Sequence, residues 1–448
     1  MARFKLLLRF VLISALALLL LVPLTLIRGA ISDRESYRAD AIERISQSSA
    51  GPQSLLGPVR VLPWTQQREI EVFVDDKGHK KTEIHTETGY DIQTPQKLRV
   101  QGTMQPEERR IGLFRVPVYS WHAHLEAEFA DYPYPQVPSR TYAQPYLAIG
   151  IADVRGLVGT PDLKVDGREL ALQPGARALE SVSKGVHAPL TALADPSHGA
   201  LTEGRKVELE FVLSGTRALS VTPIGDDNRI TLSSSWPHPL FGGAFLPSER
   251  SINDGGFSAE WALSSLATGA QAQLRRAITG DTDRVDSRLP ALDVTLVDPV
   301  DVYTMADRAS KYGILFVALT FIGFALFELI KRLRIHPMQY LLVGLALAIF
   351  FLLLLSLSEQ IEFWQAYLIS ATACIGLQGF YLSGVLRSWK SGLGFSTLLT
   401  LLYSVLYPLL ISENNSLLMG SLLLFVLLAT IMWVTRKLDW YELSTSLK

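Results

Sequence analysis

The chain has 448 residues, which is too long for one ordinary folding core, so we expect at least two folding units. Its formal net charge of −1 lacks the basic footprint of a nucleic-acid-binding protein, and its single cysteine, Cys374, excludes an intrachain disulfide framework and a CxxC metal site. Charged residues are sparse in long stretches and dense in others, which is typical of a soluble domain joined to a bilayer domain.

The first predicted element is a hydrophobic helix near the N-terminus. Phe10–Ile27 carries no charged side chain, and its 18 residues would form a helix of about 27 Å, close to the hydrocarbon thickness of a bilayer. The alternative is a cleaved signal peptide, whose apolar region is normally about 7–15 residues long and precedes small residues. Because Arg28 follows the apolar run directly, we predict an uncleaved anchor over residues 1–28.

A charged juxtamembrane helix is predicted over residues 29–50, and a β-rich domain over residues 51–311. Apolar and polar residues in this domain alternate at period two, which predicts half-buried antiparallel strands packed in a sandwich-like arrangement. A short helix or loop, Ser264–Arg276, precedes the final strand. The alternating runs are Glu69–Val74, Trp121–Phe129, Tyr146–Ile151, Lys206–Leu213, Arg229–Leu232 and Leu292–Val297.

The C-terminal part holds five further apolar segments of roughly 18–24 residues each, the length of a membrane-spanning helix. They predict a five-helix transmembrane bundle over residues 312–435, followed by a tail over residues 436–448. The fold class expected is therefore an α+β membrane protein, with an antiparallel β-sandwich-like periplasmic domain and six transmembrane helices, one N-terminal and five C-terminal. The five segments are Tyr312–Ile330, Tyr340–Leu357, Phe363–Leu386, Leu393–Ile411 and Leu417–Val434.

The short connections between the spans predict the orientation. Lys and Arg residues precede the first span, lie between the second and third and between the fourth and fifth, and follow the sixth. The connections Ser358–Glu362 and Ser412–Ser416 hold Glu359, Glu362 and Glu413 and no basic residue. By the positive-inside rule both termini are cytoplasmic, and residues 28–311 are outside.

Few residues in this sequence carry a pattern typical of catalysis or of metal binding. His122 and His124 are two apart and would share one face of a strand, but Glu126 and Glu128 continue that face, so it is predicted to be the solvent side. No nucleophile-elbow, zinc-protease, phosphate-loop or dinucleotide pattern occurs in a usable context. We therefore expect neither an enzyme nor a cofactor.

One acidic residue is a candidate functional group within the spans. Glu328 lies near the cytoplasmic end of the second span. Carboxylates within the membrane often have a function, for example as proton relays, so Glu328 is a candidate functional residue. The favoured interpretation is a charge at the end of a helix, paired with Lys331 and Arg332. The short cytoplasmic loop that follows contains the pair His336 and Pro337.

Two segments dense in Pro, Gly and apolar or aromatic residues are predicted to be shaped loops rather than strands, Gly51–Pro63 and Ser235–Pro247. Each is either a partner-binding site or a rigid corner that links the outer domain to the membrane, and the sequence favours neither. The candidate residues in them are Gly51, Pro52, Gln53, Gly57, Pro58, Trp236, Pro237, His238 and Pro239.

Over nearly its whole length the chain resembles the CreD family of inner-membrane proteins of Gram-negative bacteria. The resemblance implies a role in envelope integrity, colicin tolerance and the response to cell-wall stress, with expression linked to a two-component system. It implies no catalytic residues. It rests on Gly51, Pro52, Gln53, Gly57, Pro58 and Pro63, and on Ser234–Pro239, Phe245–Pro247, Asp307–Phe321, His336–Glu359, Gly379–Leu386 and Arg436–Tyr441.

The expected partners are the lipid bilayer and an envelope protein or glycan on the periplasmic side. One alternative is a membrane insertase, because YidC-type insertases share the layout of one helix, an outer β domain and five helices. However, no Arg lies deep in a span, and Lys331–Gln339 is too short for their cytoplasmic hairpin. A second alternative is a transporter of a small solute or a lipid-linked substrate, but the spans lack a central charge and a pseudo-repeat.

Overall fold

The structure, a computed structural model, describes residues 11–12, 14–73, 80–135, 137–190, 200–279, 288–297, 302–331, 335–385, 388–411 and 416–436. The chain divides into two compact units. The membrane unit consists of Met1–Ala39 and Val300–Lys448, and the β unit consists of Asp40–Pro299.

The β unit is built on two mixed sheets, one of nine and one of eight strands. In the first sheet the order is β10-β11-β7-β1-β14-β19-β16, and β2 and β6 also pair with β1. Its strands are β1 (Gln53–Phe73), β2 (Lys80–Gln93), β6 (Arg140–Tyr142), β7 (Tyr146–Ile151), β10 (Gln173–Pro174), β11 (Gly185–Pro189), β14 (Ala218–Thr222), β16 (Pro239–Gly243) and β19 (Leu292–Leu296).

The second sheet has the order β17-β18-β15-β3-β4-β13-β8-β9, and a separate short ribbon pairs β12 with β5. The strands of the second sheet are β3 (Lys97–Ile111), β4 (Phe114–Glu128), β8 (Leu157–Val165), β9 (Arg168–Glu169), β13 (Lys206–Thr216), β15 (Asp227–Ser234), β17 (Glu249–Asn253) and β18 (Gly256–Ser264), and those of the ribbon are β5 (Tyr132–Pro133) and β12 (Ala200–Leu201).

The predicted strands are present, and their period-two pattern has the expected cause. In β13 the buried residues Val207, Leu209, Phe211 and Leu213 alternate with more exposed ones, so one face of the strand is in the core. The fully buried ring of Trp121 meets Phe211 edge-to-face, with the ring centroids 5.5 Å apart. The sheets are nevertheless mixed rather than antiparallel throughout, because β1 runs parallel to β14, and β15 runs parallel to β3.

The helical connection before the last strand is also present, as α2 (Ser265–Thr268) and α3 (Ala270–Thr279). The side chain of Ser264 caps the first of these by accepting a hydrogen bond from the N–H of Leu266. Ala270 and Leu274 are fully buried, so α3 packs one apolar face against the main core of the β unit.

Helix α1 (Leu21–Ser48) runs without a break from the last part of the predicted anchor through the juxtamembrane segment and ends just before Gly51 and Pro52. The other long helices are α4 (Val302–Lys331), α5 (Pro337–Ser358), α6 (Phe363–Val385), α7 (Trp389–Ile411) and α8 (Ser416–Thr435). Helix α4 thus begins nearer the N-terminus than the predicted boundary at Tyr312.

Five helices in the described part of the chain are long and apolar enough to cross a membrane. They are the helix over Ser14–Ser48, the stretch Val302–Ala325 of α4, and α5, α6 and α7. The sixth predicted span coincides with α8, whose described apolar stretch, Leu418–Thr430, is shorter than a full span. The α+β membrane fold is confirmed, with five full-length spans in the part of the chain that the structure describes.

Candidate functional site

The longest strand, β1, carries a cluster of polar and aromatic side chains on one face. Trp64 is in register with Gly89 on β2 and with Tyr142 on β6, and Gln66 is in register with Arg140 on β6. Side chains alternate between the two faces of a sheet, so these residues all lie on the same face. They are far apart in the sequence, and only the pairing of three strands brings them together.

The indole of Trp64 lies between two neighbours. A Cβ atom added at Gly89 would collide with the indole ring, so the ring lies directly on the glycine backbone. The Arg140 guanidinium carbon is 4.0 Å from the centroid of the Trp64 ring, within the range of a cation–π contact. Arg140 Nη2 also donates to Gln66 Oε1 at 3.2 Å, which orients the guanidinium over the ring.

Asp91 completes the cluster. Its Oδ2 is 3.6 Å from Arg140 Nη1, which is an ion pair too long for a hydrogen bond. Burial raises the pKa of the Asp91 carboxyl above its usual value, while the charge of Arg140 and the Trp64 indole N–H lower it less. Ionisation of Asp91 at neutral pH therefore lowers the stability of the folded state.

Tyrosines border the cluster on the same side. The rings of Tyr134 and Tyr142 lie with their centroids 5.6 Å apart, and Tyr142 OH donates to the carbonyl of Pro135 at 2.7 Å. Tyr132 and Tyr142 are half-buried and pack on a small apolar cluster of Leu62, Tyr134 and Leu201. Sequence reasoning missed this site, because its members show no local motif.

The first predicted Pro- and Gly-rich segment is not a loop. Gln53 begins β1, and the strand continues through Pro58 and Pro63. The register shifts between Leu56 and Val59, where the strand leaves its parallel pairing with β14 and begins its pairing with β2. Gly57, with φ of 112°, and Pro58 form this irregularity, which is a role that glycine and proline take in strands. The prediction of a loop was wrong because a bulge has the same composition.

Gln53 and its neighbours tie the end of α1 to the β unit. The carboxamide of Gln53 donates to the carbonyls of Asp153 and Ser214 at 3.0 and 2.9 Å, and its Oε1 accepts from the Asp153 N–H at 3.2 Å. The carbonyl of Gly51 accepts from the N–H of Thr216 at 3.2 Å. Pro52 is exposed beside them. These contacts fit a rigid corner at the end of the helix.

The second Pro- and Gly-rich segment lies against the end of β19. The Trp236 indole N–H donates to the carbonyl of Val297 at 2.9 Å, and the carbonyl of His238 accepts from the N–H of Val297 at 3.2 Å. Pro237 is half-buried, His238 is exposed, and Pro239 begins β16, so the loop expected here is in part a strand. The two hydrogen bonds to Val297 are sufficient to explain why this short loop has a fixed backbone conformation.

Glu328 and the pair His336 and Pro337 lie at one end of the membrane unit. Glu328 Oε2 accepts from Tyr340 OH at 2.8 Å, and Oε1 accepts from the N–H of Ile335 at 3.3 Å. His336 is the N-cap of α5: its Nδ1 accepts from the N–H of Met338, and its own N–H donates to Gln339 Oε1. Pro337 occupies the first turn. The side chains of Lys331 and Arg332 are not among those that the structure describes, so their predicted pairing with Glu328 stays a prediction.

His122 and His124 lie on the solvent side of β4, as predicted. His122 is exposed, and His124 Nε2 and Nδ1 lie 3.1 and 3.3 Å from Glu126 and Glu210. Among the residues that the structure describes, no group of three or more His, Cys, Asp or Glu side chains could hold a metal ion.

Two polar clusters stabilise the membrane unit. Arg34 on α1 pairs with Glu359 at 3.4 Å, and the Tyr303 hydroxyl lies 3.3 Å from the same carboxylate oxygen. Deeper in the helices, the Cys374 thiol accepts from Gln378 at 3.2 Å and from Tyr403 at 3.3 Å, and links α6 to α7. Polar side chains of this kind fasten helices to one another in a bilayer.

Comparison with known proteins agrees with the resemblance seen in the sequence. The chain matches the family described as Inner membrane protein CreD over residues 5–441. It is 38% identical over 432 residues to inner membrane protein CreD of Escherichia coli strain K12, which covers 95% of this chain and 92% of that protein.

Among solved structures, an M1 zinc metallopeptidase from Deinococcus radiodurans is similar over 45% of this chain and 42% of its own, with 9% identity and a TM-score of 0.21. A similarity at that TM-score carries no argument about fold or function. The family match and the sequence identity span nearly the whole chain, and the structure supplies the spans that an inner-membrane protein needs. The chain therefore belongs to the CreD family of inner membrane proteins.

Proposed function

We propose that this protein supports the integrity of the cell envelope by binding an envelope component on the periplasmic side, without catalysis. The observation that carries this proposal is the Trp64, Asp91 and Arg140 cluster. It has aromatic faces and unused hydrogen-bonding groups, which are features of a binding site. It holds no serine or cysteine nucleophile beside a base, which acyl transfer through such a residue would need.

The orientation is part of the proposal. The basic connections and the acidic connections fall on opposite sides of the predicted spans, and the positive-inside rule then puts the β unit outside. Glu359 lies in one of the acidic connections and pairs with Arg34 beyond the apolar part of α1. An ion pair at that place is consistent with a membrane–water interface.

Photo-crosslinking in living cells tests the binding function. A photoreactive amino acid at position 87 would replace an exposed residue on the cluster face, because Glu87 is in register with Gln66. We expect ultraviolet light to join the protein to one envelope component from this position. The matched control is position 162 on the other sheet, where the Asp162 side chain is 44% exposed. Equal yields from both positions, or none from position 87, would remove support for the proposal.

A further inference from the structure

The cluster on β1 has hydrogen-bonding capacity that no described residue uses. Trp64 Nε1 and Arg140 Nε are donors, and Asp91 Oδ2 is an acceptor, and none of the three has a hydrogen-bond partner in the described part of the chain. An unsatisfied polar atom of this kind costs roughly 1–3 kcal/mol, so native folds rarely keep several together. The Trp64 indole N–H and the Asp91 carboxyl influence each other without meeting the geometry of a hydrogen bond, so a hydroxyl group placed between the members of this cluster would complete their bonds.

The cluster can be reached from solvent. The side chains of Arg140 and Asp91 are 15% and 20% exposed, and Trp64 and Gln66 are half-buried. Strand β6, which carries Arg140, is three residues long and pairs only with β1 among the described strands. A small rotation of the Arg140 side chain would present its guanidinium and the edge of the indole to a ligand.

The composition of the cluster selects the chemistry of that ligand. Arg140 and Asp91 cancel each other's charge, which disfavours a strongly anionic or cationic ligand. The half-buried rings of Tyr132 and Tyr142 supply flat apolar surface with polar edges, and Trp64, whose faces lie on Gly89 and Arg140, supplies the edge of its indole. Two donors and one acceptor match hydroxyl groups, because each hydroxyl both donates and accepts. A neutral polyhydroxylated molecule with apolar C–H faces satisfies all of these conditions.

We propose that the Trp64, Asp91 and Arg140 cluster binds a carbohydrate chain of the cell envelope. The inference rests on the proposed periplasmic position of the β unit, where the glycan of the cell wall and the oligosaccharide of the outer membrane are the sources of such chains. Arg140 and the Trp64 indole donate to the sugar hydroxyls, and Asp91 accepts from them. Tyr142 and Tyr132 pack against the sugar ring.

Calorimetric titration of the full-length protein in lipid nanodiscs tests this inference. The probes are the neutral disaccharide and tetrasaccharide of N-acetylglucosamine, which stand for the cell-wall glycan, and, separately, a neutral O-antigen oligosaccharide of the outer membrane. We expect saturable binding of one of the two, which identifies the source. Asp91→Asn removes the carboxylate charge, and Arg140→Lys keeps the positive charge but removes the planar guanidinium and its Nε donor. Each should weaken that binding about ten-fold or more.

The control is Asp162→Asn, which removes an exposed carboxylate paired with Lys164 on the other sheet and should leave the affinity unchanged. Circular dichroism of each variant shows whether the β unit is folded. If neither glycan binds, or if the Asp91 and Arg140 variants bind as the control does, the carbohydrate inference is wrong. A protein crosslinked in cells from position 87, without glycan binding, would overturn this inference and leave the proposed function standing.

Discussion

Two arginines on the same face of the first sheet, Arg60 and Arg140, differ in how completely their guanidinium groups are hydrogen-bonded. Arg60 is on β1 in register with Gln93, and Arg140 is on β6 in register with Gln66. Arg60 is only 2% exposed, and all of its nitrogens have acceptors, namely the Gln93 carboxamide oxygen and the carbonyls of Ala130 and Glu203.

Arg140 donates to Gln66, forms a long ion pair with Asp91 and lies beside the Tyr142 hydroxyl, but its Nε has no hydrogen-bond partner among the described residues. Burial lowers the pKa of Arg60 to about 10, but Asp131 and Asp166 raise it and keep the group charged at neutral pH. The difference shows that the hydrogen bonds of Arg60 stabilise the fold, whereas the polar groups around Arg140 are the ones that we propose for ligand binding. The predictions below test that distinction.

The largest effect is expected at Arg60. Arg60→Ala would remove the donors that Arg60 supplies to the Gln93 carboxamide oxygen and to the carbonyls of Glu203 and Ala130, of which the Ala130 carbonyl keeps the Gln93 amide. We therefore expect a loss of about 3 kcal/mol or more in the free energy of unfolding. Urea denaturation followed by the far-ultraviolet signal of the β unit measures it. Arg229→Ala, which breaks the exposed pair with Glu260, should cost at most about 1 kcal/mol. Similar losses of unfolding free energy in the two variants would contradict a structural role for Arg60.

A smaller effect is expected from Gly89→Ala. The added methyl group would collide with the Trp64 ring and push it out of its place on the strand, at a cost of about 1–3 kcal/mol. Loss of glycan binding should accompany it. Gly29→Ala on α1 is the control, since nothing lies within 4 Å of a Cβ there. Unchanged stability and unchanged binding would show that the Trp64 position does not matter.

Asp91→Asn should change the pH dependence of stability. Because the folded pKa of Asp91 is raised, the folded state favours the protonated form, and that advantage is lost as pH rises through the folded pKa. At pH 7 the ionised group therefore costs stability, and the Asn variant should be the more stable protein. The difference should shrink as pH falls towards the usual carboxyl range. Thermal melts between pH 4 and pH 7 measure it, and an Asn variant that is less stable at pH 7 would contradict the argument.

The smallest effect is local and concerns the end of α1. Arg155 Nη1 donates to the carbonyl of Gln47 at 2.7 Å, and Asp153 holds the guanidinium in place. A basic side chain there satisfies the free carbonyls of a helix C-terminus. Arg155→Ala should speed amide hydrogen exchange in the last turn of α1 and nowhere else. Arg168→Ala, an exposed residue on β9, is the control, and equal exchange in both variants would exclude the capping role.

The sequence predicts those elements of the fold that follow from a local pattern of apolar residues. Apolar runs of about 18 residues locate the spans, and period-two alternation locates strands such as β13, whose burial alternates as expected. Tyr146–Ile151 has the predicted bounds, but all six of its residues are buried rather than every second one. The segment from Gly51 to Pro63 was predicted wrongly, because Gly57 and Pro58 mark a bulge inside a strand and the same residues also mark loops.

The candidate site was not predicted, for a different physical reason. Trp64, Asp91 and Arg140 belong to three strands, and each is unremarkable within its own segment. Only the register of β2 and β6 on β1 puts them on one face, and register depends on the whole sheet. Glu328 was found from the sequence because a carboxylate in an apolar span is conspicuous, but its bond to Tyr340 required the structure.

The central claim, that the β unit lies outside the membrane, has a direct test by cysteine labelling in intact cells. Cys374 is the only native cysteine and is buried, so Cys374→Ser gives a background without thiols. Leu266→Cys adds one thiol at a β-unit position that is 97% exposed, and His336→Cys adds one before α5. A maleimide that does not cross the inner membrane should label the first variant in intact cells and the second only after that membrane is permeabilised. The reverse pattern would put the β unit in the cytoplasm and contradict the account.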